Sequence, residues 1–233
     1  MSSRLIRLAT WNVHKCVGSD GVFNPHRTAQ VLLSLKADVM ALQEADERFG
    51  ARRGLLGREW LEERGLRIIN APATTERSHG WCGNVLVVAT SMEVEAITAI
   101  KLPGMETRGA LVADMRHQPS GTAIRVVACH LGLLRGCRGK QTETLATCLR
   151  HHGQAAVAFM GDTNEWRDDT DTRSSLRKLH EMGLKGERHA TFPARFPLLG
   201  LDLIMSNLPG KTRADRTSVD ASDHLPLLME LYA

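Results

Sequence analysis

The chain has 233 residues, 42% hydrophobic and 24% charged, a balance that supports a substantial core and argues against a disordered tail or linker. Its net charge of +4 favours phosphate-bearing partners, yet no concentrated basic stripe marks a dedicated nucleic-acid binder. The five cysteines (Cys16, Cys82, Cys129, Cys137, Cys148) are odd in number and form no CxxC, which excludes a zinc knuckle and a complete disulfide framework.

In chain order, RLIRLATWN reads as a strand ending on Asn12. NPHRTAQVLLSLKA follows as a helix, with Asn24 as its cap, Pro25 at the first position and Val31, Leu32 and Leu35 on one face. ADVMALQE is a strand ending on Glu44, and GREWLEERG a second helix. LRIIN, NVLVVAT, EVEAITAIKL, GALVADMR and AIRVVACHL read as five strands, the last carrying His130. LLRGCRGK reads as a basic loop or solvated face, then GKQTETLATCLRHHG as a helix ending at Gly153. AVAFMGD is a buried strand, and DTRSSLRKLHEMG a helix with Leu176, Leu179 and Met182 at a three-residue step. LDLIMSN and LPLLMELY complete ten strands, which is more than one sheet holds comfortably.

No repeat, low-complexity segment or long linker interrupts the chain, so a single domain over residues 1–233 is expected, with two packed sheets flanked by helices. The N-terminal MSSRLIRLATWN lacks a signal-peptide apolar stretch, and no run approaches the roughly 18 residues of a membrane span. Reduced thiols and a cytoplasmic location fit best, and no obligate protein partner is indicated.

Six strand ends carry residues able to hold a metal or a phosphate: Asn12, Glu44, His130, Asp162 with Asn164, Asp202, and Asp223 with His224. Asp162 and Asn164 share a face if extended geometry continues past the strand, whereas a solvated turn is the competing explanation. For a hard divalent cation, Glu44 is the first candidate ligand, Asn12 stands beside it, and Asp223 is a further or water-mediated contact. Zinc is disfavoured, because no His/Cys pair has its usual spacing. In phosphoester hydrolysis Asp162 would take the proton of water and Asn164 would donate to a phosphate oxygen. His130 and His224 would donate to the phosphate or the departing oxygen, with Asp202 fixing one ring's tautomer. Taken singly, each has an ordinary alternative: a loop cap at Asn12, a surface acid at Glu44, a satisfied core histidine at His130, a turn at Asp223.

TWNVH, ADVMALQEAD, GNVLVVAT, VVACHLGL, MGDTNEW, GLDLIMSN and SDHLPLLMEL occur in an order that resembles the endonuclease/exonuclease/phosphatase superfamily over residues 8–231. This resemblance implies a four-layer α/β sandwich and Mg²⁺- or Mn²⁺-dependent cleavage of phosphoesters without a covalent intermediate. It places Glu44 and Asn12 at the metal with Asp223 assisting, Asp162 on the water, Asn164 on the phosphate, His130 and His224 on the scissile group, and Asp202 behind His224. RGALVADM, HLGLLRGCRGKQ and TFPARFPLLGLDLIM further resemble a compact bacterial group in which Arg usually follows the late aspartate. Here that residue is Leu203, so Arg108 and Arg135 become the candidates for holding a second phosphate.

The resulting expectation is a metal-dependent phosphodiesterase, with DNA or RNA the first substrate to test. Phospholipid head groups or inositol phosphates are the second class, and a non-catalytic binding protein on the same fold is the third.

Overall fold

In a computed structural model, residues 5–47, 49–150, 156–167, 171 and 173–232 are described. All ten expected strands form: β1 (Leu5–Asn12), β2 (Val39–Gln43), β3 (Leu66–Ile68), β4 (Val85–Ala89), β5 (Met92–Leu102), β6 (Arg108–His117), β7 (Thr122–His130), β8 (Ala156–Asp162), β9 (Asp202–Ser206) and, last in the chain, β11 (Leu227–Tyr232). Between the last two runs β10 (Gly210–Ala214) pairs with β11. Its sequence, GKTRA, has no apolar run, because an edge strand that buries only Thr212 needs none.

β10-β11-β1-β2-β4-β3 form one sheet and β5-β6-β7-β8-β9 the other. Each contains one parallel pair, β1 with β2 and β7 with β8. A parallel pair delivers two strand C-termini to one edge, so Asn12 lies opposite Gln43 and His130 opposite Asp162. The antiparallel neighbours bring their beginnings to that edge: Asp202 lies against Asp162, and Leu227 against Thr10. Strand direction alone therefore gathers the polar strand ends.

Helix α1 (Pro25–Leu35) starts as expected, with Asn24 Oδ1 accepting from the Arg27 amide at 2.9 Å. Leu32 and Leu35 are buried, while Val31 is only half-buried at the margin. α2 is Arg58–Glu62, α3 is Arg135–Arg150 and α4 is Arg177–Glu181. α3 begins inside LLRGCRGK, so that basic segment is helical rather than a loop; the end expected at Gly153 lies outside the described residues. α4 is shorter than the helix expected from DTRSSLRKLHEMG. Asp171 accepts from the Arg173 and Ser174 amides, and Ser174 Oγ from Leu176 N, which holds the preceding residues in turns.

Strand alternation divides the apolar residues into three cores. Ile6, Leu8, Val39 and Leu86 from one sheet meet Leu111, Val126, Ala158 and Met160 from the other. On the outer face of the first sheet Met40, Leu42 and Val87 pack with Leu32 of α1 and Leu61 of α2. On the second sheet's outer face Val127, Phe159 and Met205 pack with Leu145 of α3 and Leu179 of α4. The product is helix, sheet, sheet, helix: the four-layer α/β sandwich. No helix among the described residues is long and apolar enough to cross a membrane.

Candidate active site

The two sheets touch through side chains at the edge where these strands end. From β1, Asn12 Nδ2 donates to Asp162 Oδ2 at 3.0 Å. His130 Nε2 lies 3.4 Å from the same oxygen, and His224 Nε2 lies 3.9 Å from it. His224 Nδ1 is 2.8 Å from Asp202 Oδ2, which also accepts from Thr191 Oγ1 at 2.6 Å. Asp162, Asp202 and His224 each offer a ligand atom within 4.8 Å of the others. The Asp202–His224 hydrogen bond engages His224 Nδ1 and leaves Nε2 towards Asp162.

His224 precedes its strand and is clamped from several sides. Trp11 Nε1 donates to its carbonyl at 2.9 Å, its amide donates to Ser222 Oγ at 3.2 Å, and Phe192 packs on its ring at 4.9 Å between centroids. Ser222 Oγ in turn donates to the Asn12 carbonyl at 2.7 Å, which joins the SDH segment to the end of β1.

Gly161 explains the glycine of FMGDTN. A Cβ there would sit 1.9 Å from the Cys129 carbonyl oxygen, so only glycine lets β8 lie this close to β7. The extended geometry expected through Asn164 does not continue. Asn164 is left-handed at φ 49°, its amide donates to Asp162 Oδ1 at 3.0 Å, and its Nδ2 donates to the Leu131 carbonyl at 2.9 Å. The turn and the polar cluster are thus one feature: the turn supplies a hydrogen bond that orients the Asp162 carboxylate.

Asn12, Glu44 and Asp223 converge on a single turn of backbone. Three successive non-glycine residues, His14, Lys15 and Cys16, have φ of 45°, 56° and 60°, and Glu44 itself has φ 54°. Such left-handed runs cost on the order of 1–2 kcal/mol per residue and persist only where surrounding contacts fix them. Here Asn12 Oδ1 accepts from His14 N at 3.0 Å, Lys15 N donates to the Glu44 carbonyl at 3.1 Å, and Asp223 Oδ1 lies 3.6 Å from His14 Nδ1. The Lys15 ammonium is paired with Glu44 Oε2. Lys15 escapes sequence reasoning because no glycine betrays a left-handed turn. Thr191 and Trp11 escape it because their partners are more than ten positions away or behind the strand.

Charge is arranged unevenly across the cluster. Burial pushes the His130 ring down, partly offset by Asp162, to about 4, so it is neutral at pH 7. Burial also opposes charge on His224, but Asp202, with Asp162 and Asp223, outweighs it and holds the ring protonated up to about 10. Desolvation of Glu44 is overcome by Lys15 and by the nearby histidines, which bring its carboxyl to about 2. The site therefore holds one neutral imidazole, one imidazolium and a fixed carboxylate next to a cation.

Asn12, Glu44 and Asp223 offer amide and carboxylate oxygens, a donor set that fits a hard divalent cation, and Glu44 already neutralises a positive charge. A buried oxygen, Asp202 Oδ1, has no partner among the described residues. Arg108, the first residue of β6, acts electrostatically on His130 while its guanidinium is paired with Glu106 at 2.7 Å. Arg135 is exposed at the start of α3, with no described side-chain partner, so the structure does not draw it to the cluster. Leu203 points into the outer core with Phe159 and Met205.

The model of the Endonuclease/Exonuclease/phosphatase family matches residues 9–224. Among curated relatives, the uncharacterized protein YbhP of Escherichia coli (strain K12) is 30% identical over 161 residues, which cover 66% of this chain and 64% of that one. The match thus spans less than two thirds of the relative's length. Among solved structures, the endonuclease/exonuclease/phosphatase from Beutenbergia cavernae DSM 12333 superposes with TM-score 0.76 at 20% identity, over 98% of this chain and 72% of that one. The mannosyl-6-phosphatase Bt3783 of Bacteroides thetaiotaomicron VPI-5482 superposes with TM-score 0.73 at 14% identity, over 97% and 99%. These two likenesses carry the fold, and the family model carries the membership: the chain belongs to the Endonuclease/Exonuclease/phosphatase family.

Proposed function

We propose that the chain is a divalent-cation-dependent hydrolase of phosphodiester bonds. The observation that carries this reading is the Asp162 carboxylate, on which Asn12, Asn164, His130 and His224 all converge. With its two oxygens oriented by amides, Asp162 directs a water molecule and accepts its proton. His224, kept cationic by Asp202, donates from Nε2 to a phosphate oxygen or the departing oxygen. Neutral His130 donates one hydrogen bond to the phosphate, and the spare amide capacity of Asn164 does the same.

Glu44, with Asn12 and Asp223, would hold Mg²⁺ or Mn²⁺. When bound, such an ion supplies charge neutralisation on the phosphate oxygens. Arg108 lies near enough to His130 to add a second positive charge there, and Arg135 would meet only a longer substrate. Five free thiols support work in a reducing cytoplasm. On charge alone, DNA and RNA are the first substrates to assay, ahead of inositol phosphates. A purely regulatory role is disfavoured, because such a protein would not need this whole set.

The test is turnover of bis(4-nitrophenyl) phosphate, DNA and RNA with Mg²⁺, Mn²⁺ or chelator. Metal-dependent release of product that is lost in Glu44→Gln and His224→Ala supports the reading. Inactivity on every diester, in protein that melts cooperatively, refutes it.

A further inference from the structure

Where the exposed apolar side chains lie is as uneven as where the polar ones lie. All ten large hydrophobic residues exposed among the described ones fall in loops at the end of the sandwich that carries Asp162 and His224. They follow β1, β2, β5, β7 and β8 or precede β9, and the turns at the opposite end carry none of them. Scattered exposed leucines need no explanation, but complete segregation to one end does. The most exposed tips are Met105 at 87%, Leu198 at 79%, Phe196 at 77% and Phe49 at 75%.

Three of these loops also set an arginine next to an apolar residue. Leu134 runs into Arg135, Trp166 into Arg167 and Arg195 into Phe196, whereas Met105 is followed by Glu106. Arg167 lies over the Trp166 ring at 5.0 Å, and Arg195 is held at 3.2 Å from Asp220. An apolar tip flanked by a cation is the chemistry of the bilayer interface, where the tip enters the acyl boundary and the guanidinium stays with the phosphates.

We infer that this rim docks the protein on an anionic phospholipid surface, with the catalytic cluster facing the head groups. Its geometry stands apart from the hydrolase reading, but its use rests on that reading: the phosphodiesters cleaved would be those presented by the lipid surface. Nucleic acid fits the rim less well. Met105, Leu133, Leu134 and Leu198 are aliphatic and give bases no stacking platform, and the four exposed aromatic residues, Phe23, Phe49, Trp166 and Phe196, stand on four separate loops. Apolar insertion supplies most of such affinity, and arginine adds a salt-sensitive part.

The experiment is co-sedimentation of the purified chain with vesicles of phosphatidylcholine alone or mixed equally with phosphatidylglycerol, in chelator so that no turnover enters the readout. Wild type is expected to sediment with the anionic vesicles, far less with the neutral ones, and only partly to come off in high salt. Phe196→Asp combined with Leu198→Asp, and separately Met105→Asp, should each lower partitioning about tenfold or more. Their melting and their turnover of the soluble reporter should stay as in wild type. An inert wild type that still sediments would refute the hydrolase reading and support the surface. Equal sedimentation of wild type and rim variants, no sedimentation at all, or rim variants that lose single-stranded DNA or self-association instead, would each overturn it.

Discussion

Asn12 and Asp162 stand 150 positions apart on different sheets, and the amide of the first donates to the carboxylate of the second at 3.0 Å. This one bond latches the sheets together at the edge where chemistry is proposed, and it turns a lone pair of Asp162 away from solvent. Asn12→Ala should cost about 1–3 kcal/mol in urea unfolding, because a buried carboxylate oxygen loses its donor. Asn12→Asp should cost more, since it faces one carboxylate with another, and diester turnover should fall by about 10²-fold or more in both.

Lys15 is paired with Glu44, the carboxylate proposed to hold the divalent cation, so on that proposal the two compete for it. Lys15→Met should therefore tighten Mn²⁺ binding measured by calorimetry, by roughly tenfold given the size of an ion pair partly exposed to water. Unchanged or weaker binding would show that Lys15 supports the cation site instead of masking it.

Gly161→Ala should be severe for a small change. The new methyl would meet the Cys129 carbonyl at 1.9 Å, so β7 and β8 must part just where His130 lies opposite Asp162. A loss of at least about 2 kcal/mol in unfolding free energy is expected, with turnover reduced in the protein that remains folded.

Arg138 is buried with Glu165, its guanidinium 3.4 Å from Oε2 and bonded to the carbonyls of Gly132 and Leu133. This network ties α3 to the segment following Asn164. Arg138→Met strips one cation from Glu165, which keeps Arg167 at 3.2 Å and the Ser175 donors, and should destabilise by about 1.5–3 kcal/mol, whereas adding Glu165→Gln should recover part of the loss. Thermal melting of the single and double variants checks both statements.

The two histidines should mark stability with opposite signs, measured by urea unfolding in chelator. The folded value of His224 is raised from 6.5 to about 10, so its contribution is complete below about pH 6.5 and fades as pH rises towards 10. His224→Asn should remove that alkaline decline. His130 is lowered from 6.5 to about 4, so the unfolded chain takes up a proton first as pH falls, and stability drops between those values. His130→Asn should flatten that acid limb and leave the alkaline one.

Much of this architecture is legible in the residues, for reasons specific to each. The central strands announce themselves because a strand buried on both faces must be apolar throughout, as in AVAFMGD, while the edge strand β5, largely exposed, is legible from its β-branched Val94, Ile97, Thr98 and Ile100. β10 does not, because an edge strand buries almost nothing. The helix cap at Asn24 is local chemistry and can be read, whereas the short α4 depends on side-chain bonds from Asp171 and Ser174 that periodicity ignores. Glu44, Asp162 and His224 stand out by ending or preceding apolar runs. Lys15 does not, since only the folded contacts force three successive residues into a left-handed turn.

The central claim is that Glu44 and Asp162 serve one reaction from opposite sheets. Its most direct test is a Mn²⁺ titration of wild type, Glu44→Gln and Asp162→Asn, with cation binding and bis(4-nitrophenyl) phosphate turnover read in the same samples. Wild-type turnover should rise with occupancy, Glu44→Gln should lose binding and turnover together, and Asp162→Asn should keep binding but lose turnover. Hydrolysis that persists in chelator, or in Asp162→Asn at full occupancy, would contradict the account.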